Sequence, residues 1–220
     1  MRLTVTTFLS LDGTMQGPGG PDEDRSGGFE LGGWMAPMFD DDLAAAMSAW
    51  PKADAYLLGR RTYELFAGYW PNVTDPGDEM AASLNSRPKY VASRTLRTVD
   101  WAGAEILQGD VADAVRALKD RPGGELQVHG SGALVQTLLE HGLVDELRLM
   151  TFPVLLGSGR RLFAEGTRPG ALRLRSTQST RAGAVISVYE ATGAAPGQAS
   201  FGIVDGRDVL VDGGGGPAAA

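Results

Sequence analysis

The 220-residue chain has no cysteine and only two histidines, His129 and His141. Without thiols there is no disulfide, no thiolate zinc site and no cysteine nucleophile. Neither histidine has a second His or Cys at ligand spacing, so no metal centre is expected. Long apolar runs are missing as well: no stretch approaches the roughly 18 apolar residues of a spanning helix. The N-terminal Met1-Arg2-Leu3-Thr4-Val5-Thr6 alternates like a strand and lacks the apolar segment of a signal peptide. Positive charge is scarce. Twenty Lys and Arg against 27 Asp and Glu leave a formal net charge of −7, and the arginines come singly or in pairs (Arg60-Arg61, Arg160-Arg161). Such a chain repels nucleic acid but suits a small anion. There is no Gly-x-Ser-x-Gly elbow and no Walker sequence, which disfavours a covalent hydrolase or an NTPase. The absences describe a cytoplasmic protein with a small-molecule ligand and neither a nucleic-acid nor a membrane partner.

What is present is an ordinary globular balance, 43% hydrophobic and 21% charged, enough for one domain with a full core. Leu3 to Ser10 reads as a first strand, ended by Leu11-Asp12-Gly13. Residues 14 to 39 are rich in Gly, Pro and acids. Trp34, Met35, Met38 and Phe39 near the end of that loop predict a flap over a site. Asp40-Asp41-Asp42 opens a helix with Leu43, Met47 and Trp50 on one face. Strands over 55–58, 89–92, 104–107, 126–129 and 147–152 alternate with helices over 60–67, 78–86, 110–118 and 133–141. Two final strands, 172–177 and 184–191, share a short connection. The pattern predicts an α/β fold with a mixed, mainly parallel central sheet, antiparallel C-terminal strands and helices on both faces. Residues 1–192 form the domain. The Gly/Ala-rich tail, 193–220, carries a possible Asp205-Gly206 hairpin and a low-complexity end, 213–220, expected to be mobile.

Three strand-end turns stand out. Gly59-Arg60-Arg61-Thr62 leaves a strand and opens a helix, whose free N–H groups and positive dipole end suit a phosphate. A plain strand-to-helix turn with solvated arginines would look the same. Ser93-Arg94 puts a hydroxyl beside a guanidinium, the pair a 2′-phosphate asks for, although an ordinary polar loop has that composition too. Gly130-Ser131-Gly132 follows an apolar strand and precedes an amphipathic helix. It lacks the third glycine of the Rossmann fingerprint, and no acid stands about 20 residues further on to hold a ribose. Alone each turn is weak; three at strand ends are stronger, because open α/β sheets bind ligands there.

In order and spacing the motifs resemble the dihydrofolate-reductase-like family, closest to the reductase half of the bifunctional riboflavin-biosynthesis deaminase–reductase and its stand-alone relatives. The matching residues are Ser10-Leu11-Asp12-Gly13, Gly59 to Glu64, Ser93-Arg94, Gly130-Ser131-Gly132, Asp145-Glu146-Leu147, and Pro153 to Gly159 with Leu162-Phe163. The resemblance implies NADPH bound in an extended pose. Gly59, Arg60, Arg61, Thr62, Gly130, Ser131 and Gly132 would hold its pyrophosphate, Ser93 and Arg94 its 2′-phosphate, and Gly13 would border the nicotinamide. Asp12, Trp34, Leu156 and Gly157 would lie on the substrate side, Asp42 is the best match for the acid with Asp40 and Asp41 competing for that role, and the chain would be a homodimer. The zinc deaminase ligands of the bifunctional enzyme are absent. The activity implied is reduction of a pyrimidine or pterin-like ring, of the 5-amino-6-(5-phosphoribosylamino)uracil type. Dihydrofolate reduction and a non-catalytic binding or assembly role on the same fold are the alternatives.

Overall fold

In the computed structural model, which describes residues 1–212, β1 (Arg2–Ser10) runs through the middle of an eight-stranded sheet. The low-complexity end at 213–220 lies outside the described residues. The other strands are β2 (Ala53–Gly59), β3 (Lys89–Ala92), β4 (Ala104–Ile106), β5 (Glu125–His129), β6 (Glu146–Phe152), β7 (Leu172–Ser179) and β8 (Val185–Ala191). Their order is β4-β3-β2-β5-β1-β6-β8-β7. Strands β1 to β6 are parallel, and β8 and β7 add on antiparallel, as the alternation of elements foretold.

Period-two patterning assigns the two faces. Leu3 and Val5 of β1, Ala55 and Leu57 of β2, Leu126 and Val128 of β5, and Leu147 and Leu149 of β6 pack under α4 (Val111–Lys119) and α5 (Gly132–Glu140). The opposite face carries α1 (Asp41–Ser48), α2 (Arg60–Tyr69) and α3 (Glu79–Ser86). Leu43 of α1 meets Met150, Phe152 and Ile186, while Tyr63 of α2 and Leu84 of α3 meet Tyr56, Leu58 and Val91.

The 14–39 segment, expected as a flap, is packed down. Phe29, Trp34 and Met35 join the α1 core, and the Gln16 side chain donates to the carbonyls of Asp24 and Ser26. Beyond Gly193, β9 (Ala199–Val204) and β10 (Arg207–Asp212) form a separate two-stranded sheet. Its turn residues Asp205 (φ 50°) and Gly206 (φ 71°) are both left-handed, as a two-residue Asp-Gly hairpin turn requires.

Candidate functional site

The chain leaves β2 through α2 toward β3 and leaves β5 through α5 toward β6, so from these neighbouring strands it departs in opposite directions and on opposite faces. This is the switch point at which open α/β sheets form a ligand crevice. Two of the three sequence-predicted turns meet there. The Ser131 Oγ accepts the Gly59 N–H (3.0 Å) and donates to the His129 carbonyl (3.1 Å), while the Ser131 N–H donates to Thr62 Oγ1 (3.1 Å). Gly130 (φ 57°) and Ser131 (φ 56°) are successive left-handed residues. For serine that conformation costs about 1–2 kcal/mol, and the three hydrogen bonds hold it in place. Gly132 packs closely against the end of the Met15 side chain, where a Cβ would stand 2.8 Å from Met15 Sδ.

What distinguishes these two turns is what they lack. The other three α-helices of the described residues begin with an aspartate cap: Asp40 accepts from Leu43 N, Asp78 from Ala81 N and Asp110 from Asp113 N. Each also has an acid in its first turn. Helices α2 and α5 have no side-chain cap and no acid in the first turn. Their leading amides and positive dipole ends stay open, side by side, at the end of the sheet.

The third turn ends β3, the strand beside β2. Ser93 Oγ accepts the amides of Thr95 (3.2 Å) and Leu96 (3.0 Å), which shapes the turn and leaves its hydroxyl proton free, and Arg94 is exposed. Arg60 reaches Glu64 in an exposed pair (3.3 Å). Arg61 donates to Ser26 Oγ (3.2 Å), which Arg160 also contacts (2.5 Å), so the packed-down segment reaches the rim of the crevice.

The substrate-side residues divide. Asp12 gathers the end of β1 and the segment after β6, accepting from Ser10 Oγ (2.6 Å), Gly157 N (2.8 Å) and Leu156 N (3.2 Å). Those bonds, the Ser10 one foremost, pull its pKa down to about 2. Gly13 beside it is left-handed (φ 84°), with open space where a side chain would be. Trp34, expected beside the substrate, is instead a core residue. Its ring stands edge-on to Phe152 (5.8 Å between centroids) and its indole N–H donates to the Gln16 carbonyl (2.8 Å). Asp42, expected as the acid, is bound to the β7–β8 turn, accepting from Arg181 Nε (2.9 Å) and Arg181 N (3.0 Å). The Arg181 hydrogen bonds hold its carboxyl below the usual range, the setting of an ion pair and not of a proton donor at neutral pH.

One group near the crevice escaped the sequence reading. Glu125, Gln127 and His129 line the α1/α2 face of β5 and are linked in series. His129 Nε2 meets Gln127 Oε1 (3.1 Å), and Gln127 Nε2 donates to Glu125 Oε2 (2.8 Å). Arg148 grips Glu125 with both terminal nitrogens (2.6 and 3.1 Å) and Glu146 with Nε (2.7 Å), beneath the Trp50 ring. Burial, with help from the Arg148 charge, pushes the His129 imidazole down to about 4, so it is neutral near pH 7. The alternation Glu-Leu-Gln-Val-His was the available signal. In a central strand covered on both faces, its polar positions must be paired internally.

Comparison with known proteins places this geometry. Residues 2–188 match the RibD C-terminal domain family. The Bacillus subtilis (strain 168) protein YyaP is 29% identical over 194 residues, covering 87% of this chain and 96% of YyaP. YwjB of the same strain is 36% identical over 125 residues, 57% of this chain and 67% of YwjB. A Shewanella sp. PV-4 protein named for riboflavin biosynthesis superposes with a TM-score of 0.62 at 22% identity, over 87% of this chain and 99% of that one. A pyrimidine reductase-like protein of Corynebacterium diphtheriae gives 0.59 at 17%, over 86% and 91%. Dihydrofolate reductase of Enterococcus faecalis, complexed with NADP(H), gives 0.55 at 15%, over 87% and 96%. These structural likenesses establish the dihydrofolate-reductase-like fold.

Proposed function

The chain belongs to the RibD C-terminal domain family, and from that premise we propose that it is an NADPH-dependent reductase of a small heterocycle of the pyrimidine class, of the 5-amino-6-(5-phosphoribosylamino)uracil type. The observation that carries the proposal is the pair of uncapped, acid-free helix starts at the β2–β5 switch point, in a chain that caps its other described α-helices with aspartate. Two adjacent sets of free amides suit a pyrophosphate, with its two linked anionic groups. The amides that open α2 and α5 bind it, and the Ser131–Gly59–Thr62 bonds fix the distance between the two turns.

On this reading Ser93 and Arg94, with Arg60 beyond the neighbouring strand end where Gly59 pairs with Ala92, receive the 2′-phosphate that separates NADPH from NADH. Bound there, NADPH supplies the hydride; the protein supplies position and electrostatics. Asp12 holds Leu156 and Gly157 against the end of β1, which keeps the substrate side of the crevice in shape. The resemblance to dihydrofolate reductase needs the α1 acid at the pocket floor. Asp42 is engaged by Arg181, so the pyrimidine reading is preferred.

The test is a comparison of NADPH and NADH by calorimetry and thermal melting, followed by NADPH oxidation with the ribosylaminopyrimidine phosphate and with dihydrofolate. NADPH is expected to bind more tightly than NADH. At about 100 times its Kd it should stabilise the fold by about 2.7 kcal/mol. A melting temperature that does not move in millimolar NADPH overturns the proposal. Oxidation with dihydrofolate but not with the pyrimidine would move the assignment to dihydrofolate reduction.

A further inference from the structure

The polar row on β5 runs from a closed end to an open one. At the closed end Arg148 grips Glu125, the Trp50 ring lies over that guanidinium, and the Pro51 carbonyl accepts from Gln127 Nε2 (2.9 Å). The open end is His129, the last residue of β5, one position before the left-handed Gly130-Ser131 turn. Thr6 of β1 pairs with His129 in parallel register, so both side chains rise on the same face of the sheet. The Thr6 carbonyl accepts the Gly130 N–H (3.2 Å). Both residues therefore stand where the uncapped start of α5 opens on the crevice.

Donor and acceptor chemistry fixes what this end offers. Glu125, ion-paired with Arg148, only accepts, and so does a backbone carbonyl. Gln127 meets both with Nε2 (2.8 and 2.9 Å), which sets its amide orientation and turns Oε1, an acceptor, toward His129. His129 Nε2 must therefore carry the proton of that contact (3.1 Å), and the neutral ring keeps a bare lone pair on Nδ1. Neither His129 Nδ1 nor Thr6 Oγ1 has a hydrogen-bond partner among the described residues. No sealed side-chain nitrogen or oxygen of those residues lacks a partner, so both atoms reach open space, although Thr6 is only 4% exposed. The Thr6 hydroxyl thus contributes no bond to the fold at a position where a valine would pack.

Resting on the reductase reading above, we propose that Thr6 Oγ1 and His129 Nδ1 recognise the lactam edge of the ring that is reduced. His129 Nδ1 accepts a ring N–H, and the Thr6 hydroxyl donates to the neighbouring ring carbonyl. An acceptor-only atom beside a hydroxyl, on strands about 4.8 Å apart, complements an N–H adjacent to a C=O, the edge of a uracil-type ring. The Glu125–Gln127 chain makes the choice a fixed one, because it keeps the imidazole proton on Nε2. A ring nitrogen that carries a lone pair or a methyl group then finds no donor and is refused. The nicotinamide carboxamide has the same two groups, and the test separates it from the substrate ring.

Nitrogen NMR of the imidazoles observes the pair directly, since the chain has only two histidines and His141 is exposed. The free protein is expected to show His129 protonated on Nε2 and bare on Nδ1. Millimolar uracil, with or without NADPH, should move the Nδ1 resonance as its lone pair takes up a hydrogen bond. Dimethyluracil, methylated on both ring nitrogens, should not. In calorimetry Thr6→Val should weaken uracil binding about 2- to 10-fold, the worth of one hydrogen bond, with an equal or higher melting temperature and unchanged NADPH affinity. A proton on Nδ1 in the free protein, an Nδ1 resonance that uracil leaves in place, an equal response to dimethyluracil, or a Thr6→Val protein that binds uracil as the parent does would each overturn the proposal. So would a response to NADPH alone, which assigns the pair to the cofactor's carboxamide. Failure of the reductase reading shows separately, as a melting temperature that NADPH does not move.

Discussion

Giving α2 the aspartate cap that α1, α3 and α4 already have should move stability and binding in opposite directions. Gly59 is the N-cap of α2 at φ −73° and ψ 157°, extended geometry that any residue adopts. A Cβ there would meet Ser131 Cβ at 3.5 Å and Leu134 Cβ at 3.7 Å, ordinary contacts, so Gly59→Asp fits without strain. Aspartate improves on glycine as a cap by a few tenths of a kcal/mol, and its charge against the helix dipole adds about 0.3–1 kcal/mol. Together they come to about 1 kcal/mol, or a melting temperature about 2–4 °C higher for a chain of this length. The same carboxylate would occupy the amides proposed to hold the pyrophosphate. Two like charges about 4 Å apart at an effective dielectric near 20 repel by about 4 kcal/mol. Halved for solvent screening, that is about 2 kcal/mol, or about a 30-fold weaker NADPH affinity. Gly59→Asn, which caps without charge, should raise the melting temperature less and weaken binding less. Scanning fluorimetry and calorimetric titration read both effects. A Gly59→Asp protein that melts higher and binds NADPH as well as the parent refutes the assignment of the α2 start as an anion site.

Other expected outcomes bear on the buried network and the displaced site residues. Arg148→Met leaves Glu125 without a cationic partner, and Glu146 with Arg2 alone (2.9 Å), in a face where the Arg148 side chain is only 4% exposed, and should cost about 3–5 kcal/mol in urea unfolding. For His129, folding lowers the pKa to about 4 from an ordinary 6.5. The unfolded chain therefore takes up a proton first as pH falls, and about 3 kcal/mol of stability present above pH 6.5 is lost by pH 4. Urea midpoints across that window should show the loss in the parent and a smaller one in His129→Gln; equal losses would contradict the assignment. Asp42→Asn breaks an exposed pair with Arg181 and should lower the melting temperature by about 1–2 °C with NADPH affinity unchanged. A collapse of turnover at an intact melting temperature would return Asp42 to the role of proton donor.

The sheet was legible because its strands are bounded by strong punctuation. Gly59, Arg87-Pro88, Arg121-Pro122 and Gly142 break the chain where apolar periodicity changes, and the reading erred by a residue or two at element ends. The Gly59 and Gly130 turns were legible for the same reason: each sits where an apolar strand gives way to a helical pattern. Trp34 and Asp42 were not, since both depend on contacts remote in sequence. A tryptophan in a glycine-rich segment reads as a flap until Phe152 is known to stand against it, and Asp42 reads as available until the β7–β8 turn brings Arg181 over α1. His129 was hidden by its pattern, because polar alternation in a strand ordinarily marks a solvated face, whereas here the Tyr56 ring stands against it (5.6 Å between centroids) and Trp50 covers the neighbouring Arg148.

The placement of acids bears on how an acidic protein admits an anion. On the proposed reading, the net charge of −7 opposes NADPH at long range, while the α2 and α5 starts would attract it only within their first turns. Salt screens the first effect over a Debye length of about 8–10 Å and barely reaches the second, where ligand and amides are in contact. Added salt should therefore remove repulsion about as fast as it weakens the exposed arginine contacts of Arg60, Arg61 and Arg94. The NADPH affinity should then change by less than about threefold between low salt and a few tenths molar. A loss of about tenfold or more over that range would mean that surface guanidiniums, and not the uncapped helix starts, supply most of the binding energy.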